Sequence, residues 1–294
     1  MGIGRTIRKF LQQAGISRYN WLDRLYLPLD RKVIRRTRNI RLIPSERFRR
    51  GGKYAYAEWA HVIGIFQTLM YLHLAKKEGN AVLDIGCGTG LLGIAAEPFV
   101  GEGGSYTGID VMEHDIAFCR RHYRAPNYRF IHFDAANPAY APQQSEAKAP
   151  WPVDGDSVDL VTALSVWTHL REEDALFYLR EVARVLRPGG KAIITFFVLD
   201  ETYQRANLGS VTEKQGRFHR TTPRKWVFDQ SSYGSDAWFH PKSADVPEAA
   251  IGVTEAGLAR LLAASGLQLA ERHPGNWKEV PGAYFQDVLI FRKA

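Results

Sequence analysis

The chain has 294 residues, 45% hydrophobic and 24% charged, which suits one or two soluble globular domains. These values exclude a collagen-like, coiled-coil or mainly disordered chain, and no apolar run reaches the roughly 18–20 residues of a membrane helix. Two cysteines cannot build a disulfide framework or a cysteine zinc site, and the absence of an apolar leader core makes the cytoplasm the default expectation. Charge is unevenly placed: residues 1–53 carry 15 Lys and Arg against 3 Asp and Glu, whereas the remainder carries 24 against 28. Such a basic head could meet nucleic acid, anionic lipid or an acidic substrate, or simply cover an acidic body.

In chain order, Ile3, Ile7, Phe10 and Leu11 recur at helical spacing among Arg5, Arg8 and Lys9, a short basic amphipathic helix. Residues 28–53 are Arg-rich and weakly periodic. A helix is predicted over 55–75, with Trp59, Val62, Ile63, Phe66, Leu69 and Met70 on one side. Strands and helices then alternate. Strands are predicted near 81–85, 105–109, 128–133, 158–164 and 191–198. Helices are predicted near 91–99, from 110 to about 123, and over 171–186, the last stopped by Arg187-Pro188-Gly189-Gly190. This rhythm predicts a doubly wound α/β fold with a mostly parallel sheet. Residues 201–245 break it with seven aromatics, Tyr203, Phe218, Trp226, Phe228, Tyr233, Trp238 and Phe239, and read as a lid or acceptor wall. A helix over 254–265 and strands near 267–272 and 284–292 close the chain. The domain reading is a basic N-terminal cap, 1–53, on a body of 54–294.

Val82-Leu83-Asp84-Ile85-Gly86-Cys87-Gly88-Thr89-Gly90 joins the first of these strands to its helix. Glycines there let the backbone turn sharply and approach a ligand. The spacing is G-x-G-x-G, neither the dinucleotide fingerprint, whose third glycine is replaced by Leu91, nor a P-loop. Asp84 would repel a pyrophosphate but could orient loop N–H groups or hold an ammonium. Asp110 ends the second strand, where an acid can accept ribose hydroxyls. Asp134 follows the third, within reach of an adenine amino group. Each acid alone could be a helix cap; together with the loop they point to one crevice.

Asp84 to Gly90 resembles the first motif of class I S-adenosylmethionine-dependent methyltransferases. Gly108-Ile109-Asp110 resembles the second, Phe133-Asp134-Ala135 the third, and Leu186 to Lys191 is also similar to that family. The resemblance covers about 55–200. It implies a seven-stranded sheet with an antiparallel last strand, and S-adenosylmethionine as cofactor, leaving as S-adenosylhomocysteine. It further implies contacts from Gly86, Cys87, Gly88 and Gly90 to the methionine part and ribose, with Asp84 on the amino group. Asp110 and Val111 would meet the ribose, Asp134 and Ala135 the adenine, Leu164 and Ser165 the methionine end, and Tyr54 would close over the cofactor.

For the acceptor side, a histidine base would favour attack by an oxygen. His169, in Leu164-Ser165-Val166-Trp167-Thr168-His169-Leu170 after the fourth strand, is the candidate; the alternative is that Thr168 caps a helix and His169 packs. Trp167, His219, Trp226, Trp238 and His240 are expected substrate contacts. Their mix of rings and polar neighbours suits a sugar or glycan hydroxyl. An RNA acceptor held by the basic head, or a lipid met at a membrane surface, are the alternatives. No metal is expected. Asn137-Pro138-Ala139-Tyr140 resembles the Asn-Pro-Pro-Tyr motif of amino-methylating nucleic-acid enzymes but follows the third strand, not the fourth, and reads as a turn.

Overall fold

The computed structural model describes residues 40–51, 55–143 and 148–294. The helix expected near 3–16, most of the basic head, and Tyr54 lie outside them. The chain divides into two units, Met1–Arg41 and Leu42–Ala294. Residues 42–51, expected in the basic cap, belong to the second of these units. The reason is in the contacts of 42–51: Phe48 stacks on Phe118 at 4.4 Å, Thr89 donates to the Phe48 carbonyl, and Arg50 forks onto Asp115 at 2.8 and 3.0 Å.

The second unit alternates as predicted. Helix α1 (Tyr56–His73) leads into β1 (Ala81–Ile85), α2 (Leu91–Val100), β2 (Ser105–Asp110), α3 (Glu113–His122), β3 (Tyr128–His132), β4 (Val158–Ala163), α4 (Glu172–Val185) and β5 (Leu186–Leu199). The expected apolar side of α1 is buried throughout. After α5 (Glu201–Ala206) come β6 (Phe228–Ser231), β7 (Trp238–Pro241), β8 (Gly252–Thr254), α6 (Glu255–Ser265), β9 (Gln268–His273) and β10 (Asp287–Arg292). β3, β2, β1, β4 and β5 are parallel, and β10 is antiparallel between β5 and β9. These are the seven strands expected. β1 and β4 are almost wholly buried, as parallel strands covered on both faces must be.

Two features depart from expectation. β5 starts at Leu186, not near 191, because Gly189 and Gly190 exchange backbone hydrogen bonds with Lys293 and keep the Pro-Gly-Gly stretch in the sheet as an irregular start. At its other end β5 outruns β10, and Phe197–Leu199 pair in parallel with β8. β8, β7 and β6 thus add a three-stranded extension, for ten strands among the described residues. No helix among the described residues is long and apolar enough to cross a membrane.

Candidate active site

The β1–α2 loop is held from the neighbouring strand. The Gly86 and Cys87 N–H groups both donate to the Ile109 carbonyl, at 2.8 and 3.0 Å. Asp110 ends β2 and accepts from the Gly88 N–H at 2.7 Å and the Met112 N–H at 2.8 Å. Asp110 therefore orients the loop, the task expected of Asp84. Gly86 (φ +67°) needs glycine twice over, since a Cβ there would lie 2.5 Å from Val166 Cγ2. Gly90 (φ +89°) is closed off by the Tyr123 ring, 2.5 Å from where its Cβ would be. Gly90 and the buried Cys87 thus pack inward and do not line the cleft.

Asp84 is buried behind the loop, outside the cleft lining. Its oxygens accept from the Tyr106 hydroxyl at 2.6 Å and the Thr162 hydroxyl at 2.8 Å. Burial pushes its carboxyl up to about 7, against the pull of those two bonds. The folded protein therefore keeps a proton that an unfolded carboxyl, near 3.8, has released. Stability is expected to be greatest below the unfolded value and to decline as pH rises from about 4 to about 7. Melting temperatures of the wild type and Asp84→Asn across that range check this: the asparagine variant should show a flatter slope, and identical slopes would refute the assignment.

A cleft of about 340 Å³ opens along the carboxyl ends of β1, β2 and β4. That lies within the roughly 300–1,000 Å³ of small-molecule sites. Gly86, Gly88, Asp110, Val111, Ala135, Leu164, Ser165 and His169 all line it. Asp134 is exposed and does not, although its neighbours Phe133 and Ala135 do. His169 follows β4 in a 3-10 turn, Trp167–His169. Its Nδ1 lies 2.7 Å from the Glu248 carbonyl, which can only accept, so Nδ1 carries the ring proton. Nε2 then carries the ring's lone pair, to which the Tyr140 hydroxyl donates at 3.2 Å, with Ser165 Oγ at 3.4 Å. Burial holds His169 below its ordinary 6.5, opposed in part by the Glu248 bond.

Residues 82–190 match the family described as methyltransferase domain. Over that stretch the chain is similar to a methyltransferase domain. S-Adenosylmethionine is the cofactor of that family, and the glycine loop and Asp110 at this cleft fit it. The ubiquinone biosynthesis O-methyltransferase of Rhizobium rhizogenes is 35% identical over 117 residues, 38% of this chain and 39% of that protein. The phthiotriol/phenolphthiotriol dimycocerosates methyltransferase of Mycobacterium tuberculosis is 33% identical over 138 residues, 45% of this chain and 42% of that protein. The chain thus spans about two fifths of the length of these relatives. The solved PH0226 protein of Pyrococcus horikoshii shares the fold, with a TM-score of 0.50 and 16% identity over 81% of this chain and 92% of that one.

Four of the five expected acceptor contacts lie off the cleft. Trp238 is wholly buried in the main core. Trp226 packs on Phe197 and Phe285 and donates to Thr221, within a second apolar cluster. His219 pairs with Glu279 at 2.8 Å, and His240 with Ser232 at 3.0 Å. None of these four lines the cleft. Trp167 does line the cleft, as a wholly buried part of its floor, with its indole N–H donating to the Ala175 carbonyl. Tyr203, Trp226, Phe228 and Phe239 instead pack into the extension's own apolar cluster. The cleft gains residues that the sequence did not single out or set aside: Arg50, Trp151, Tyr178, and Asn137 and Tyr140 of the presumed turn. Asn137 donates to the His169 carbonyl at 2.8 Å, so this turn forms the wall facing the histidine.

Proposed function

We propose that the chain is an S-adenosylmethionine-dependent O-methyltransferase acting on a hydroxyl of a small molecule, with His169 as general base. The observation that carries this is the His169 ring, whose Nδ1 is anchored by the Glu248 carbonyl while Nε2 faces the cleft. When bound, S-adenosylmethionine supplies a methyl group on a sulfonium and leaves as S-adenosylhomocysteine. Gly86 and Gly88 would hold its methionine part, Asp110 and Val111 its ribose, Ala135 its adenine, and Leu164 and Ser165 the edge nearest His169. Asp110 still has lone pairs beyond its two backbone bonds, which suits ribose hydroxyls. An alcohol is a poor nucleophile, and loss of its proton to Nε2 as it attacks is worth about 10²–10⁴ in rate. The walls formed by Tyr140, Trp151 and Tyr178 exclude water and align the acceptor. A relative named for O-methylation supports oxygen as the acceptor atom. The sugar or glycan expectation rested on the aromatic insertion, which lies off the cleft, so the acceptor class proposed is a small-molecule hydroxyl.

Methyl transfer from labelled S-adenosylmethionine into a host extract, fractionated into RNA, lipid, glycan and small molecules, tests this reading. Label is expected in a small-molecule fraction and to survive nuclease. Label released by nuclease would overturn the proposal and make the basic head a nucleic-acid contact.

A further inference from the structure

A second cluster of donor atoms lies off the cleft. α1 ends at His73, and β9 presents Glu271 and His273, two residues apart and so on one face of the sheet. His73 Nε2 lies 3.7 Å from Glu271 Oε2, and His273 Nε2 lies 3.5 Å from the same oxygen. The three donor atoms all fall within 4.8 Å of one another. Neither imidazole is hydrogen-bonded to the carboxylate at these separations. Both Nε2 atoms are nevertheless buried, with no hydrogen-bond partner, and the His73 side chain is only 3% exposed. Two buried ring nitrogens aimed at one carboxylate oxygen without bonding to it are costly unless something else sits between them.

A metal ion satisfies all three at once. Tetrahedral zinc with bonds of about 2.0–2.2 Å sets its ligand atoms about 3.3–3.6 Å apart, within a few tenths of an ångström of the two distances observed. We propose that His73, Glu271 and His273 form a binding site for a zinc-class divalent cation that ties the end of α1 to the edge strand β9. Two imidazoles and one carboxylate suit zinc and its late first-row neighbours. Magnesium and calcium prefer all-oxygen shells. Glu271 is half exposed, so the fourth position opens to solvent. One group opposes the site: the Lys191 ammonium lies 3.5 Å from His73 Nδ1. Metal on Nε2 requires the proton on Nδ1, so Lys191 must give up that contact, and its charge repels the cation. None of these residues lines the cleft, so the site is independent of the methyl-transfer proposal.

The test is a zinc titration of the untagged, chelator-treated full chain, followed by calorimetry and thermal melts. One zinc per chain and a raised melting temperature are expected. His273→Ala and Glu271→Gln, both at partly exposed positions on an edge strand, should melt like the wild type in chelator and bind zinc at least about tenfold more weakly. Lys191→Met should bind it more tightly, and magnesium should shift nothing. Absence of saturable binding at micromolar zinc, or one-to-one binding unchanged in both variants, would overturn the proposal.

Discussion

His169→Ala is expected to lower kcat by about 10²–10⁴-fold while leaving cofactor affinity unchanged. The argument rests on one tautomer. The Glu248 carbonyl at 2.7 Å can only accept, so it keeps the proton on Nδ1 and leaves Nε2 basic. Truncation gives up the ring's bonds to the Glu248 carbonyl and the Tyr140 hydroxyl but spares the backbone anchor of the facing wall. The contact from Asn137 is to the His169 backbone carbonyl, which alanine retains, so the wall carrying Tyr140 stays in place. The pH profile separates a base from a packing residue. Burial lowers the His169 pKa, so the ring stays neutral, and active, to below pH 6.5. kcat/KM should therefore be flat near neutrality and fall only on the acid side, with a midpoint below 6.5, and that limb should vanish in His169→Ala. A loss of less than about tenfold, or an acid limb that persists in the variant, would refute the base assignment. Tyr140→Phe removes only the hydroxyl that donates to Nε2. It should act mainly on KM, because any acceptor hydroxyl must displace that bond to reach the nitrogen.

What was readable in the sequence was local. The strand, glycine turn and helix from Ala81 to Val100 lie within one short stretch, and so does Asp110 at the end of β2. The function-bearing details that were missed come from distant chain. Asp84 looks available in sequence, but its register neighbours Gly108 and Thr162 place it between Tyr106 and Thr162, which occupy its oxygens. Asn137 and Tyr140 follow the third strand, yet the long β3–β4 connection carries them onto His169, 29 residues beyond Tyr140. The anchor of His169 is a main-chain carbonyl, for which no residue type is a signal. The aromatics of 201–245 were visible, but not which way they faced. β5 runs past β10, and the extension seated on its end needs a core of its own, built from Phe197, Leu208, Phe228 and Trp277. Composition alone does not distinguish rings that bury one another from rings that line a cleft.

The same extension explains why Lys278→Met is expected to cost about 3–5 kcal/mol of stability. Lys278 is wholly buried, its Nζ 2.7 Å from Asp200 Oδ2 and 2.7 Å from Asp287 Oδ1. Asp200 caps α5 at the start of the insertion, and Asp287 opens β10, so the lysine joins the extension to the central sheet. The two acids would not suffer equally. Asp200 keeps Arg272 at 3.4 Å and some contact with solvent. Asp287 is fully buried and would keep only neutral donors, the N–H groups of Gly275 and Val198 and the Trp277 indole. Most of the loss is therefore an unpaired buried charge. Neutralising it in Lys278→Met/Asp287→Asn should recover part of the stability, making the double variant less damaged than the sum of the singles. Urea unfolding of the four proteins measures this directly. A cost below about 1 kcal/mol for Lys278→Met, or strict additivity, would show that the buried ions do not hold the extension in place. The consequence should reach the cleft. Gln286, next to Asp287, donates to Ser165 Oγ at 2.9 Å and accepts from Thr195, so loosening the start of β10 should displace Ser165 beside His169. Folded Lys278→Met is accordingly expected to bind S-adenosylmethionine more weakly than the wild type, even well below its melting point.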